Sequence, residues 1–227
     1  MEKEVRRRLD MVEQQLVSRG ITDARVLDAM RTVPRHEFVP ARLAAEAYSD
    51  HPLPIDNGQT ISQPYIVALM LEAARLDENA VLLDIGTGSG YAAAVASLLT
   101  RRVVSIERHA GLAESARRRL TALGYDNVEV IAGDGLAGWP DAAPYDAIVA
   151  AAAGPRVPDA WRDQLAVGGR IVMPLGAPRL GQRLVVCTRA ADGTLEQSSL
   201  GGVAFVPLIG DGAWAEHNDE GGTDPAP

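Results

Sequence analysis

The run Val81-Leu82-Leu83-Asp84-Ile85-Gly86-Thr87-Gly88-Ser89-Gly90-Tyr91 carries an apolar stretch into three alternating glycines and then into a helix-forming segment. Glycine lets a backbone turn tightly and approach a ligand, and the first turn of the following helix presents unpaired amides. A dinucleotide turn of G-x-G-x-x-G spacing requires Gly or Ala at position 91, where this chain has Tyr91. The G-x-G-x-G spacing therefore points away from a pyrophosphate cofactor and toward a smaller nucleoside ligand. Glu107 stands 21 residues after Gly86, where an acid can accept both ribose hydroxyls. Asp134-Gly135 follows the next apolar stretch in the same way. Asp84, Glu107 and Asp134 are thus expected at the carboxyl edge of successive strands, where open α/β sheets bind ligands. Three acids there repel a triphosphate and accept a cationic nucleoside. Each acid alone could simply cap the turn after its strand, but their common register with the glycine loop favours one shared ligand.

These residues need a scaffold, and the pattern from Ala80 onward supplies it: short apolar runs alternate with helix-length segments, the grammar of βαβ units. Strands are predicted at 80–85, 102–106, 128–132, 146–151, 169–174, 184–188 and 203–208, with helices at 91–99, 109–123 and 158–165. The first strands are apolar without alternation, as in a parallel sheet covered on both faces. The last two, separated only by the polar stretch 190–199 with its Asp192-Gly193 turn, are expected to pair antiparallel at one edge. Upstream, Val5, Leu9, Val12 and Leu16 form the stripe of an amphipathic helix over 4–18. Thr22 can cap a second helix bearing Val26, Leu27 and Met30, which Pro34 closes. Residues 40–64 read as mostly loop, and a loop of that length in a compact domain tends to be functional or disordered. The resulting division is a helical and lid segment over 1–78, an α/β domain over 79–210 and an acidic tail over 211–227 expected to be disordered.

At 227 residues the chain suits one compact domain with terminal additions. Its net charge is −8, but the last 17 residues hold five acids and no Lys or Arg, leaving the body near neutral. Beyond the triplets Arg6-Arg7-Arg8 and Arg117-Arg118-Arg119 there is no basic block, so nucleic-acid binding lacks its electrostatic footprint. Cys187 stands alone, which excludes an internal disulfide and fits a reducing compartment. The first eight residues hold no apolar signal core, and no run of 18 apolar residues offers a membrane span, so a cytoplasmic protein is expected. His36, His51, His109 and His217 lie at no metal-ligand spacing, and no catalytic metal is expected.

The glycine loop and strand-end acids resemble those of class I S-adenosylmethionine-dependent methyltransferases, whose sheet is doubly wound, mostly parallel, seven-stranded and Rossmann-like. A more specific resemblance spans residues 10–210. Val33-Pro34-Arg35-His36-Glu37-Phe38-Val39-Pro40, Ala47-Tyr48-Ser49-Asp50, Gly58-Gln59-Thr60-Ile61-Ser62-Gln63-Pro64-Tyr65 and Gly133-Asp134-Gly135 are similar to the protein-L-isoaspartate O-methyltransferase family. The stretch from Gln59 to Tyr65 is the most specific of these. The resemblance implies a repair enzyme that moves a methyl group from S-adenosylmethionine to the α-carboxylate of L-isoaspartyl residues in damaged proteins, leaving S-adenosylhomocysteine. It implies Ser62 as the catalytic residue and Thr60, Ile61, Asp84, Gly86, Thr87, Gly88, Glu107, Arg108, Asp134 and Gly135 as cofactor-binding residues. Gln59, Ser62 and Val206 would face the substrate, and the protein would act as a monomer.

A carboxylate nucleophile has a pKa of about 4 and is already ionised at neutral pH, so no general base is needed. The site must instead desolvate the anion and align it with the methyl group. A Ser62 hydroxyl can donate to the carboxylate without blunting it as an Arg clamp would; the same residue could alternatively cap a helix starting at Gln63. Trp139 could border adenosine or simply pack. The chain departs from the family pattern at Ala150-Ala151-Ala152-Ala153, where a Thr is usual, and at Asp56, where Gly is usual. Rival functions are a relative that methylates normal aspartate in a maturing peptide, and a nucleotide-binding module without turnover. A dehydrogenase is disfavoured by Tyr91.

Overall fold

A computed structural model of the chain describes residues 2–177 and 181–215. Its frame is a seven-stranded sheet in the order β5-β4-β3-β6-β7-β8-β9. Strands β3 (Val81–Ile85), β4 (Arg102–Glu107), β5 (Val128–Ala132), β6 (Tyr145–Ala150) and β7 (Leu165–Leu175) run parallel. β8 (Gln182–Arg189) is antiparallel to β7, and β9 (Leu195–Val203) is antiparallel to β8. Every residue of β3 is buried, as expected for a central strand covered on both faces. Order reverses at β3, whose two neighbours are β4 and β6, so the crevice above its carboxyl end is the topological switch point.

Helices α4 (Tyr91–Ser97) and α5 (Ala110–Ala122) connect β3 to β4 and β4 to β5, and the short α6 (Asp159–Gln164) precedes β7. The chain begins with α1 (Glu2–Met11), α2 (Ala24–Thr32) and, after a hairpin of β1 (Leu53–Pro54) with β2 (Thr60–Ile61), α3 (Pro64–Ala74). One apolar core runs from Met11, Leu16, Met30 and Phe38 through Val67 and Leu71 into Leu82, Val103 and Ala147, so the extension shares its core with one face of the sheet. A second core, with Leu83, Ile148, Ile171 and the fully buried Trp161, lies on the other face.

Several expectations are corrected. The first helix is α-helical only to Met11, with a wider π turn over Val12–Leu16 and a 3-10 turn over Val17–Arg19. Asp23, not Thr22, caps α2, its side chain accepting from the amides of Arg25 and Val26; the Thr22 amide instead donates to Glu72 Oε1 at 2.7 Å. The 40–64 segment is less irregular than expected, since it contains 3-10 turns at Ala41–Glu46 and Asp56–Gly58 as well as the hairpin.

The last strand is formed by 195–203 rather than 203–208. β8 needs a partner on its open edge, and the Asp192-Gly193 turn folds the polar stretch straight back onto it, pairing Arg189 with Leu195. Residues after Val203 leave the sheet; Pro207 bridges only to Ala153. The expected disordered tail starts too early: Trp214 Nε1 donates to the Ala153 carbonyl at 3.0 Å. The remainder of that tail, 216–227, lies outside the described residues. No helix among the described residues is long and apolar enough to cross a membrane.

Candidate active site

The β3 backbone ends in a tight cluster of amide contacts that shapes the glycine loop. Gly86 and Thr87 both donate to the Ile106 carbonyl, at 2.8 and 3.2 Å, so the loop is stitched to the end of β4. Gly86, Gly88 and Gly90 have φ of 94°, 53° and 90°, a left-handed region that side chains oppose. Arg119 on α5 steadies the loop from behind, donating to the Ser89 carbonyl at 2.8 Å.

Beneath the loop, Thr87 Oγ1 and Ser105 Oγ lie 2.6 Å apart, and Ser105 donates to Asp84 Oδ2 at 2.6 Å. Asp84 is buried, and that desolvation raises its pKa to about 6 despite the Ser105 hydrogen bond; the charge of Glu107 adds to the rise. The structure thus puts Asp84 and Thr87 under the loop, in a hydroxyl–carboxyl chain, rather than in the cavity wall. Ile61 is likewise buried in the main core and contributes no wall.

Glu107, at the end of β4, does face the cavity. Oε2 accepts the Gly88 amide and Oε1 the His109 amide, both at 2.9 Å. Each oxygen keeps a second lone pair, enough for a pair of hydroxyls. Asp134 follows β5 and uses Oδ1 to cap the turn Gly135–Ala137, accepting from Leu136 at 2.9 Å. Its capping role and its place in the cavity wall therefore coexist. Gly135 sits against Ile85, and its carbonyl accepts from Trp161 Nε1 at 2.8 Å. Trp139 does not reach the cavity; it packs against the second core, its amide donating to Gln164 Oε1.

The cavity measures about 1050 Å³. On the sheet side its wall contains Gly86, Gly88, Glu107, Arg108, Asp134 and Gly135, together with Ala151 and Ala152 of the alanine run. Gln59, Thr60 and Ser62 of the N-terminal segment and Val206 near the chain's end line the same cavity. Thr60 belongs to β2, which is held to β1 by the register Pro54↔Thr60.

Ser62 does not cap α3: the capping position is Gln63, with no side-chain bond, and the Ser62 hydroxyl has no hydrogen-bond partner among the described residues. A half-buried hydroxyl on a cavity wall, with its hydrogen-bonding capacity free, is available to a ligand.

Two features of the wall have no local sequence signal. Arg19 lies with its guanidinium 3.5 Å above the Tyr65 ring and pairs with Asp50 at 2.9 Å. The stretch from Leu200 to Ile209 also lines the cavity, although the family resemblance points only to Val206-Pro207-Leu208 near the substrate.

Tyr91, the residue out of place in a dinucleotide turn, is buried in the N-terminal extension, edge-on to Phe38 with centroids 5.6 Å apart and 4.7 Å below the Arg35 guanidinium. Arg35 is itself buried, and desolvation lowers its pKa to about 10. The aromatic ring at 91 therefore locks the glycine-loop helix to the extension and leaves no close glycine approach for a second phosphate.

The arrangement offers carboxylates with spare lone pairs to a nucleoside, a free hydroxyl to an anion, and room for both. Among the described residues no three His, Cys, Asp or Glu side chains converge as metal ligands.

Comparison with known proteins gives the site its context. Residues 6–213 match the family described as protein-L-isoaspartate(D-aspartate) O-methyltransferase. A protein-L-isoaspartate O-methyltransferase 2 of Marinobacter nauticus is 56% identical over 204 residues, covering 90% of this chain and 93% of the relative. A protein-L-isoaspartate O-methyltransferase 1 of Rhodopseudomonas palustris is 54% identical over 205 residues, covering 90% and 84%. Among solved structures, a protein-L-isoaspartate O-methyltransferase superposes with TM-score 0.80 at 30% identity, over 90% of this chain and 67% of that one. A Plasmodium falciparum structure described as a putative member of the same group, in complex with S-adenosyl-L-homocysteine, gives TM-score 0.76 at 26% identity, covering 89% and 98%.

Proposed function

Because the chain belongs to the protein-L-isoaspartate(D-aspartate) O-methyltransferase family, we propose a division of labour in its cavity between a nucleoside side and a peptide side. The enzyme transfers a methyl group from S-adenosylmethionine to the α-carboxylate of L-isoaspartyl residues in damaged proteins and peptides, and S-adenosylhomocysteine is the product. The observation that supports the division is a single cavity lined both by the strand-end residues Gly86, Glu107 and Asp134 and by Gln59 and Ser62 of the N-terminal segment.

S-adenosylmethionine supplies an electrophilic methyl group on a positively charged sulfur. The donor set of the nucleoside wall suits it: acids and backbone groups rather than a phosphate clamp. Glu107 holds the ribose hydroxyls through its spare lone pairs, and Asp134 takes the adenine edge. The Asp84–Ser105–Thr87 chain fixes the loop from below.

On the peptide side, Ser62 donates one hydrogen bond to the substrate carboxylate and leaves the other oxygen to attack. That oxygen bonds the methyl carbon as the carbon–sulfur bond breaks, with no proton to move. Gln59 and Val206 position the peptide backbone and hold water away, which strengthens the attraction between anion and sulfonium. In the resulting ester the next backbone nitrogen displaces methanol and closes a succinimide, which hydrolyses partly to normal aspartate. The chain needs no second site for that step.

Residues 1–78 act as the lid-bearing segment over a donor-binding domain of 79–210 in this reading. The protein works as a monomer in the cytoplasm and on polypeptides rather than nucleic acid; the lone Cys187 supports a reducing compartment, the acidic balance of −8 supports a partner other than nucleic acid, and gel filtration tests the monomer.

Matched L-isoaspartyl and L-aspartyl peptides, incubated with labelled S-adenosylmethionine, test the substrate. Label is expected in the isoaspartyl peptide. Label confined to the aspartyl peptide would instead establish the peptide-maturation reading, and binding without any labelled product would leave a nucleotide-binding module.

A further inference from the structure

The tip of the hairpin beside the cavity is Asp56-Asn57-Gly58, and both Asn57 and Gly58 are exposed. Nothing lies within 4 Å of the point where a Cβ on Gly58 would stand. The Asn57 side-chain amide has no hydrogen bond among the described residues, while its backbone carbonyl accepts from Gln59 Nε2 at 3.1 Å. An asparagine amide that nothing restrains, followed by a nitrogen that no side chain shields, has the composition for intramolecular attack. We propose that Asn57 is a deamidation and isomerisation site built into the turn that carries the substrate-facing residues of this enzyme.

The Gly58 backbone nitrogen attacks Cγ of Asn57. A carbon–nitrogen bond forms there, the side-chain carbon–nitrogen bond breaks, and ammonia leaves with the proton lost by Gly58. Water then opens the five-membered imide. Addition at Cγ yields aspartate; addition at the α-carbonyl yields an isoaspartyl linkage with a free α-carboxylate. Water is the only co-reactant.

The resting turn restrains the reaction without preventing it. Asn57 has φ 59° and ψ 27°, which point the Gly58 nitrogen away from the side-chain carbonyl, so the tip must open first. Opening is cheap, because β1 and β2 pair through only two residues each and such a hairpin is marginal by itself. Glycine at 58 lets the peptide rotate.

An isoaspartyl linkage adds a methylene to the main chain just before Gln59, Thr60 and Ser62, all of which line the cavity. It also sets a new carboxylate at the rim. Ageing of this one residue therefore lowers methyl transfer, a consequence that rests on the roles given above to Gln59 and Ser62, whereas the modification itself does not.

Full-length protein aged at mildly alkaline pH, where the amide nitrogen deprotonates more readily, provides the test. Peptide mapping of 54–63 is expected to show loss of the asparaginyl form and growth of aspartyl and isoaspartyl forms, with wild-type transfer falling severalfold in step. Asn57→Gly, which keeps the left-handed turn, and Asn57→Gln should hold their starting rates over the same period. Intact Asn57 in the folded protein, under conditions that deamidate the free 54–63 peptide, would overturn the proposal. Isoaspartate at 57 with undiminished transfer would overturn the consequence and the roles of Gln59 and Ser62, and leave the modification site standing.

Discussion

The carboxylate of Glu107 accepts the Gly88 amide at 2.9 Å, so the acid that faces the cavity also holds the glycine loop in place. One side chain thereby couples the shape of the loop to the binding of the ribose. Glu107→Ala should weaken S-adenosylmethionine binding by about 1.5–3 kcal/mol, the worth of hydrogen bonds to a charged group, or roughly tenfold to a hundredfold in Kd. Calorimetric titration reads this directly, and an unchanged Kd would remove Glu107 from the binding site.

Ser62→Ala separates a chemical role from a structural one. Since Ser62 is not the cap of α3 and bonds to nothing among the described residues, its loss should change stability by no more than about 0.5 kcal/mol. A lost hydrogen bond to the substrate anion should lower kcat/KM by about tenfold to a hundredfold. Paired urea melts and peptide kinetics check both; a variant with normal kinetics contradicts the assignment.

Asp84 should leave a mark on the pH dependence of stability. Its carboxyl titrates near 3.8 when unfolded and is raised to about 6 by burial in the fold. Below 3.8 both states are protonated; as pH rises toward 6 the unfolded state gives up its proton first, and stability falls before levelling off. The wild-type minus Asp84→Asn difference should therefore drop by an amount on the order of 3 kcal/mol across that window. Urea midpoints collected against pH measure it, and a flat difference curve would show that Asp84 ionises as freely in the fold as out of it.

Two glycines of the same domain should respond in opposite directions to alanine. A Cβ on Gly135 would stand 2.6 Å from Ile85 Cγ2, at the end of the very strand that bears the glycine loop. Gly135→Ala should cost about 1–3 kcal/mol through overpacking and loosen S-adenosylmethionine binding as the Asp134 turn shifts. Gly111, in α5, has nothing within 4 Å, so Gly111→Ala should gain about 0.5–1 kcal/mol from helix propensity alone. Thermal melts of the pair with and without S-adenosylhomocysteine distinguish local clash from general fragility.

The parallel half of the sheet was legible because each of its strands has a short, mostly apolar centre bounded by polar or turn residues. Val128–Ala132 coincides with its expected span, β3 and β4 differ by one residue at one end, and β6 is shifted by one residue at both. The antiparallel edge was not legible, since 195–203 is polar and becomes a strand through the partner that the Asp192-Gly193 turn presents, while the more apolar 203–208 is drawn to the cavity rim. Composition reports burial, and an edge strand needs pairing more than burial.

The site divides in the same way. Chain-local chemistry was enough to single out Gly86, Gly88, Glu107 and Asp134, because a turn that needs positive φ and an acid at a strand end are properties of a few consecutive residues. Local chemistry could not tell that Asp84 lies beneath the loop while Glu107 faces the cavity, that Tyr91 reaches into the extension toward Arg35, or that Arg19 and the 200–209 stretch meet Ser62 across one space. Those facts arise from long-range packing, where segments far apart in the chain are brought together by burying a common core, and no window of neighbouring residues contains that information.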